Sequence, residues 1–161
     1  MEDSNRPHLL LVEDDRSLRT LIGMRIKAAG LDYTPCEDFL SAKQAIDSGK
    51  KFDGVWSDGF YAGDKLFPEV GSMSLLRHLH HQGLLATTPV VIASTMPHLI
   101  QPHLERLSAM PDMAGFLPPP VLGKEEPKLI LTTLKDMMCQ LREAMRPGAN
   151  PGVPTGITRK P

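Results

Sequence analysis

Apolar residues alternate along the chain between two rhythms. Short continuous runs, His8-Leu9-Leu10-Leu11-Val12, Phe52-Asp53-Gly54-Val55-Trp56-Ser57 and Pro89-Val90-Val91-Ile92-Ala93, read as strands buried on both faces. Between and after them the spacing turns helical. Leu18, Leu21, Ile22, Ile26 and Ala29 predict a helix stopped by Gly30, and Phe39 to Ile46 a shorter one ended by Ser48-Gly49. Met73, Leu75, Leu76 and Leu79 predict a helix from Gly71 to Gly83, and Gln101 to about Met110 another. Ile130, Leu134, Met137, Leu141 and Met145 mark a last amphipathic helix from about Pro127. Leu31 to Glu37 reads as an edge strand, because Pro35 cannot donate to a ladder. Met113 to Leu117 reads as the final strand, running into Pro118-Pro119-Pro120. Residues 59–70 carry no period and predict a long loop.

Strands alternating with helices in this way imply an α/β fold: five parallel strands, right-handed crossovers and helices on both faces. Residues 1–146 are expected to form one domain. Residues 147–161, with four prolines and three glycines, are expected to be a disordered tail.

Composition narrows the function classes. Of 161 residues, 41% are hydrophobic and 23% charged, the balance of a globular chain. A formal net charge of −1 lacks the basic footprint of a nucleic-acid binder. The polar start Met1-Glu2-Asp3-Ser4-Asn5-Arg6 is no signal-peptide core, and no run reaches membrane-spanning length. Cys36 and Cys139 stand in no ligand spacing and fit reduced thiols, so a cytoplasmic protein is expected. His78 and His81 could share a metal at i, i+3, but no cysteine or aspartate joins them convincingly, and a solvated face is the plainer account.

The chemistry gathers where strands end. Glu13, Asp14 and Asp15 follow the first strand directly, Asp58 follows the third, and Ser94 the fourth. In open parallel sheets the ligand site lies at the carboxyl ends of the strands. Either Asp14 or Asp15 could cap the next helix. Capping does not account for three adjacent carboxylates, which repel one another and call for a divalent cation. Mg²⁺, which prefers carboxylate and carbonyl oxygens, suits such a set.

With those residues placed, the chain resembles the receiver domains of bacterial two-component response regulators over residues 7–146. The resemblance rests on Leu11-Val12-Glu13-Asp14-Asp15, Phe52-Asp53-Gly54-Val55-Trp56-Ser57-Asp58, Gly71 before a Leu-Leu-Arg helix, Thr88-Pro89-Val90-Val91-Ile92-Ala93-Ser94 and Ala114-Gly115-Phe116-Leu117-Pro118-Pro119-Pro120. It implies a flavodoxin-like sheet of order 2-1-3-4-5. It further implies that Glu13, Asp14 and Asp58 hold Mg²⁺, that Asp58 accepts a phosphoryl group, and that Ser94 contacts its oxygens. Phe116 would be the switch aromatic and Pro120 the proline after a cis bond. The implied partners are a histidine kinase or phosphotransfer protein and a downstream protein target. No enzymatic turnover, nucleic acid or membrane is expected, and the Met137-Met138 stripe leaves a homodimer open.

Three departures stand beside the resemblance. The family's lysine before the last proline is replaced by Pro119, with Lys65 or Lys124 as conceivable substitutes. The loop from Asp58 to Gly71 and the segment from Ser94 to Gly115 are both longer than the family's. Pro119 and the long loop after Asp58 motivate the alternative of a pseudo-receiver, an interaction module that is never phosphorylated. A small phosphatase using Asp58 is disfavoured because Phe60 stands where a second acid is wanted.

Overall fold

The computed structural model describes residues 5–148. Most of the Pro/Gly-rich segment expected to form a tail lies outside those residues. Five strands form one parallel sheet: β1 (His8–Val12), β2 (Asp32–Cys36), β3 (Gly54–Asp58), β4 (Val90–Ser94) and β5 (Val121–Gly123). Their order is β2-β1-β3-β4-β5, as the resemblance implies, with the Pro35 strand at an edge. The helices between them are α1 (Arg16–Ala28), α2 (Phe39–Asp47), α3 (Gly71–His81), α4 (Gln101–Ser108) and α5 (Pro127–Ala144).

The continuous apolar runs resolve into two faces, since successive side chains in a strand point to opposite sides. Leu10, Val12, Val55, Val90 and Ile92 pack under α2, α3 and α4, against Ile46, Met73, Leu76, Leu79, Leu104 and Leu107. Leu9, Leu11, Trp56, Val91 and Ala93 pack under α1 and α5, against Ile22, Ile26, Ile130, Leu134 and Met138. Capping agrees with the pattern. Asp15 is the N-cap of α1, its Oδ1 accepting from Leu18 N at 2.9 Å. Asp38 and Ser41 form a reciprocal capping box on α2.

The last strand is not where the apolar run put it. Met113 closes a 3-10 turn (Pro111–Met113), Gly115 takes φ +82, and Phe116 is a core anchor that pairs with no strand. Three successive prolines then offer no N–H to a ladder; only the Pro120 carbonyl joins it, accepting from Ile92 N. Pairing therefore begins at Val121, the first residue after them able to donate, with the register Ile92↔Val121, Ala93↔Leu122 and Ser94↔Gly123. All peptide bonds among the described residues are trans, including the one before Pro120. The expected cis proline is absent because Pro120 leads into the strand, whereas the expectation placed it just beyond the strand's end.

The loop between β3 and α3 is a packed element. Tyr61 and Val70 form a parallel bridge, and Phe67 is fully buried. Asp64 Oδ1 accepts from Leu66 N, Phe67 N and Ser74 Oγ, so this carboxylate organises the turn. Arg106 of α4 closes over it, donating to Leu66 O at 3.2 Å with its guanidinium 4.7 Å from the Phe67 ring centre.

The two cysteines separate by burial. Cys36 is buried at the end of β2 and Cys139 is exposed on α5. Burial pushes the Cys36 thiol up to about 11, leaving little thiolate to react at neutral pH. Iodoacetamide at pH 8 is expected to modify one thiol in the native chain, mapped by peptide mass to Cys139, and both after unfolding in denaturant.

Candidate functional site

The register of the sheet builds the site stepwise. Val12 pairs with Ser57, so Glu13 and Asp58, one residue further on, leave adjacent strands side by side. Asp58 pairs with Ala93, and Ser94 with Gly123, which brings Ser94 and Lys124 to the same edge. Lys124 N continues the ladder, donating to Ser94 O at 3.0 Å. Glu13 N does the same on the other side, donating to Cys36 O at 3.0 Å. Arg19 of α1 braces the acidic turn by donating to Glu13 O at 2.7 Å and to Asp14 O at 3.4 Å.

Three carboxylates converge there. One oxygen each of Glu13, Asp14 and Asp58 lies within 4.8 Å of the others, the one such metal-competent group among the described residues. Glu13 is only 1% exposed and Asp58 8%, while Asp14 is open to solvent. Asp58 Oδ1 accepts from Gly59 N at 2.7 Å, which fixes the orientation of its carboxylate. Glu13 Oε2 accepts from Asp15 N at 3.2 Å. Its Oε1 is buried and receives no hydrogen bond of proper geometry.

What answers that charge is Lys124. Its Nζ lies 2.6 Å from Glu13 Oε1 and 3.2 Å from Asp58 Oδ1, so one ammonium bridges both buried acids. Burial works against this charge, yet the Glu13 and Asp58 carboxylates outweigh it and hold the lysine above its usual range. Burial pushes Glu13 up to about 7; Lys124 opposes the rise, and the Asp58 charge adds to it.

These distances correct the expectation of a missing lysine. Pro119 precedes β5 and belongs to the prolines leading into it; the lysine at the strand's carboxyl end is Lys124, and Glu125, not a proline, follows it. Lys65, the other substitute considered, is exposed and pairs with no acid among the described residues. Phe116 does not stand at the site either. It lies beside Pro89 and Val90 at the opposite pole, edge-on to His80 with ring centres 6.0 Å apart. The β5 residue beside Ile92 is Val121.

Ser94 is where the sequence placed it, buried at the end of β4. Its Oγ accepts from Met96 N at 3.1 Å, which leaves the hydroxyl hydrogen to donate. Behind Asp58, Ser57 Oγ donates to Asp58 O at 2.7 Å and lies 2.8 Å from Tyr61 Oη. Ser72 Oγ donates to Gly59 O at 2.6 Å. A Cβ on Gly59 would run into the end of the Ile100 side chain, which would have to shift to admit it. Ser57, Tyr61, Ser72 and Arg19 escaped sequence reasoning because serines and arginines beside a loop carry no periodic signal. Lys124 did carry one: it directly follows a short apolar stretch, Val121-Leu122, and a glycine.

Two of the helix histidines contact carboxylates. His78 Nε2 lies 2.8 Å from Asp47 Oδ1, and His81 Nε2 3.0 Å from Asp112 Oδ2. They take no part in a metal cluster among the described residues.

The residues present fit a hard divalent cation. Three carboxylates at two strand ends match the donor set that Mg²⁺ or Mn²⁺ takes. The lysine ammonium now balancing two of them marks the place as one that stabilises positive charge.

No protein-family model matches this sequence, and neither does any curated protein. Solved structures do match. A receiver domain of a Francisella response regulator superposes with TM-score 0.62 at 20% identity, over 83% of this chain and 98% of that one. The signal receiver domain of a putative LuxO repressor protein from Vibrio parahaemolyticus gives 0.64 at 21% identity, over 85% and 93%. A response regulator receiver protein from Sinorhizobium medicae gives 0.65 at 18% identity, over 85% and 98%. The chain has the fold of response-regulator receiver domains.

Proposed function

We propose that this chain is a receiver domain of a phosphorelay, which accepts a phosphoryl group on Asp58 and passes the change on through protein contacts. The observation carrying this reading is the bridge of Lys124 between Glu13 and Asp58 at the carboxyl ends of a 2-1-3-4-5 sheet. A helix cap or a solvated acidic turn needs no half-buried cation shared by two strands.

The chemistry follows from these residues. A carboxylate oxygen of Asp58 attacks phosphorus in a phosphohistidine or a small acyl phosphate. The P–N or P–O bond to the donor breaks, the leaving group takes the bonding pair, and a mixed anhydride forms on Asp58. The barrier is mostly charge repulsion and positioning. Gly59 N holds the aspartate in orientation. Lys124, already poised between the acids, turns its ammonium to the incoming phosphoryl oxygens. The Ser94 hydroxyl donates to another of them. A divalent cation held by Glu13, Asp14 and Asp58 would supply further neutralisation of carboxylate and phosphoryl charge. A histidine kinase or phosphotransfer protein is the donor this chemistry calls for.

The test is incubation with acetyl phosphate, with and without Mg²⁺. The expected result is a gain of one phosphoryl mass that depends on Mg²⁺ and is prevented by EDTA. No gain under either condition, with Mg²⁺ leaving the melting temperature unchanged, favours the alternative of a pseudo-receiver that only binds partners.

A further inference from the structure

The opposite pole of the molecule carries a second feature that phosphoryl chemistry does not use. A groove of about 1300 Å³ opens beneath the amino-terminal ends of β1 and β3, between α2, α3 and the last turns of α5. Its floor is aliphatic and thioether in character, with Ile46, Leu84, Leu141 and Met145 beside Phe52. Met145 is 63% exposed, so its thioether side chain extends the apolar floor to the groove's open edge.

Charge around the rim is asymmetric. Both acids there are already engaged. Asp47 pairs with Lys43 and His78, each at 2.8 Å, and Asp53 accepts from His8 N at 2.7 Å. Lys50, Lys51, Arg142 and Arg146 line the same groove and have no ion pair or side-chain hydrogen bond among the described residues. Arg142 and Arg146 gain something from the negative end of the α5 dipole. That accounts for two cations and leaves Lys50 and Lys51, on a different segment, unexplained. In a chain of net charge −1, four unpaired cations around one apolar floor are a local positive field with a hydrophobic base.

We infer that this groove binds a medium-chain acyl carboxylate, the acyl body lying along Leu84, Leu141 and Met145 and the head group meeting Lys51 and Arg142. The floor favours an acyl over an aryl body, because the two rings that line it, Phe52 and His78, already pack against His8 and Phe39 with centres 5.8 and 6.2 Å apart. A few convergent cations over an apolar base are what fix such a ligand's orientation. The site is remote from Asp58 and stands or falls independently of phosphorylation.

The experiment uses the full chain, with anilinonaphthalene sulfonate as fluorescent reporter and decanoate as competitor below its micellar concentration. The expected result is saturable reporter binding that decanoate displaces and that butyrate and decyltrimethylammonium do not. The pair Lys51→Glu with Arg142→Glu should weaken decanoate at least tenfold. The charge-matched pair Arg25→Glu with Lys128→Glu, exposed on α1 and α5, should leave it within twofold. Melting curves check that both pairs stay folded. Equal weakening by the two pairs, displacement by the cationic surfactant, or no displacement by decanoate overturns the proposal. Should the Lys51/Arg142 pair unfold, Lys50→Gln with Lys51→Gln replaces it under the same criterion.

Discussion

Asp58→Asn is expected to abolish phosphoryl uptake from acetyl phosphate while the chain stays folded. Asparagine keeps a side-chain oxygen to accept from Gly59 N, the 2.7 Å hydrogen bond that orients the residue. It also removes one of three mutually repelling charges, so the cost in stability is small. What it removes is the attacking oxygen. An amide is not a nucleophile toward phosphorus, and loss of the nucleophile in a comparable constellation costs on the order of a thousandfold or more in rate. Intact mass spectrometry over a time course reads this directly. Uptake at more than a few percent of the parent rate would place the acceptor elsewhere.

Lys124→Gln is expected to separate two roles of the site. The ammonium bridges Glu13 and Asp58 at 2.6 and 3.2 Å, and on the proposed reading it turns to the phosphoryl oxygens. A hydrogen bond to a charged group contributes about 1.5–3 kcal/mol. Its loss should slow phosphorylation on the order of ten- to a hundredfold. Binding of Mg²⁺ should not weaken and should tighten, because the cation's competitor for Glu13 is gone. Isothermal titration with Mg²⁺ alongside the phosphorylation rate distinguishes this from simple misfolding, which would weaken both. Parallel loss of Mg²⁺ affinity and rate would contradict the assignment.

The sheet and most of its helices were legible because their apolar periods are long and their stops chemically explicit. The Leu9-to-Val12 run, Gly30 and Gly83 after α1 and α3, and Pro35 at an edge each have one natural reading. The site was half legible for the same reason: strands that end on Glu13, Asp14, Asp58 and Ser94 bring those residues to one rim in any parallel sheet. The error at β5 has a physical origin. Met113 and Phe116 are buried, and burial alone looks like a strand in sequence, but Gly115 and three prolines prevent pairing until Val121. That shift of several residues left Lys124 as one of two conceivable substitutes rather than the lysine at the strand's end, made Pro119 look like a lost lysine, gave Phe116 a role at the wrong pole and put a cis bond before Pro120. The hydrogen bonds of Ser57, Ser72 and Tyr61 depend on how the long loop folds back, which no local pattern encodes.

The lysine bears on one premise of the alternative reading. A pseudo-receiver is motivated by Pro119 and by the long loop after Asp58, and the lysine bears on the first of these alone. With Lys124 in contact with both buried acids, the three carboxylates, the hydroxyl and the ammonium that phosphoryl transfer calls for lie at one rim.

The most direct test of that account traps the acyl phosphate itself. The chain is treated with acetyl phosphate and Mg²⁺, reduced with borohydride, which converts an aspartyl phosphate to homoserine, and mapped by peptide mass spectrometry. Homoserine is expected at residue 58 and at no other aspartate. Reduction at another residue, or none despite Mg²⁺, would contradict it.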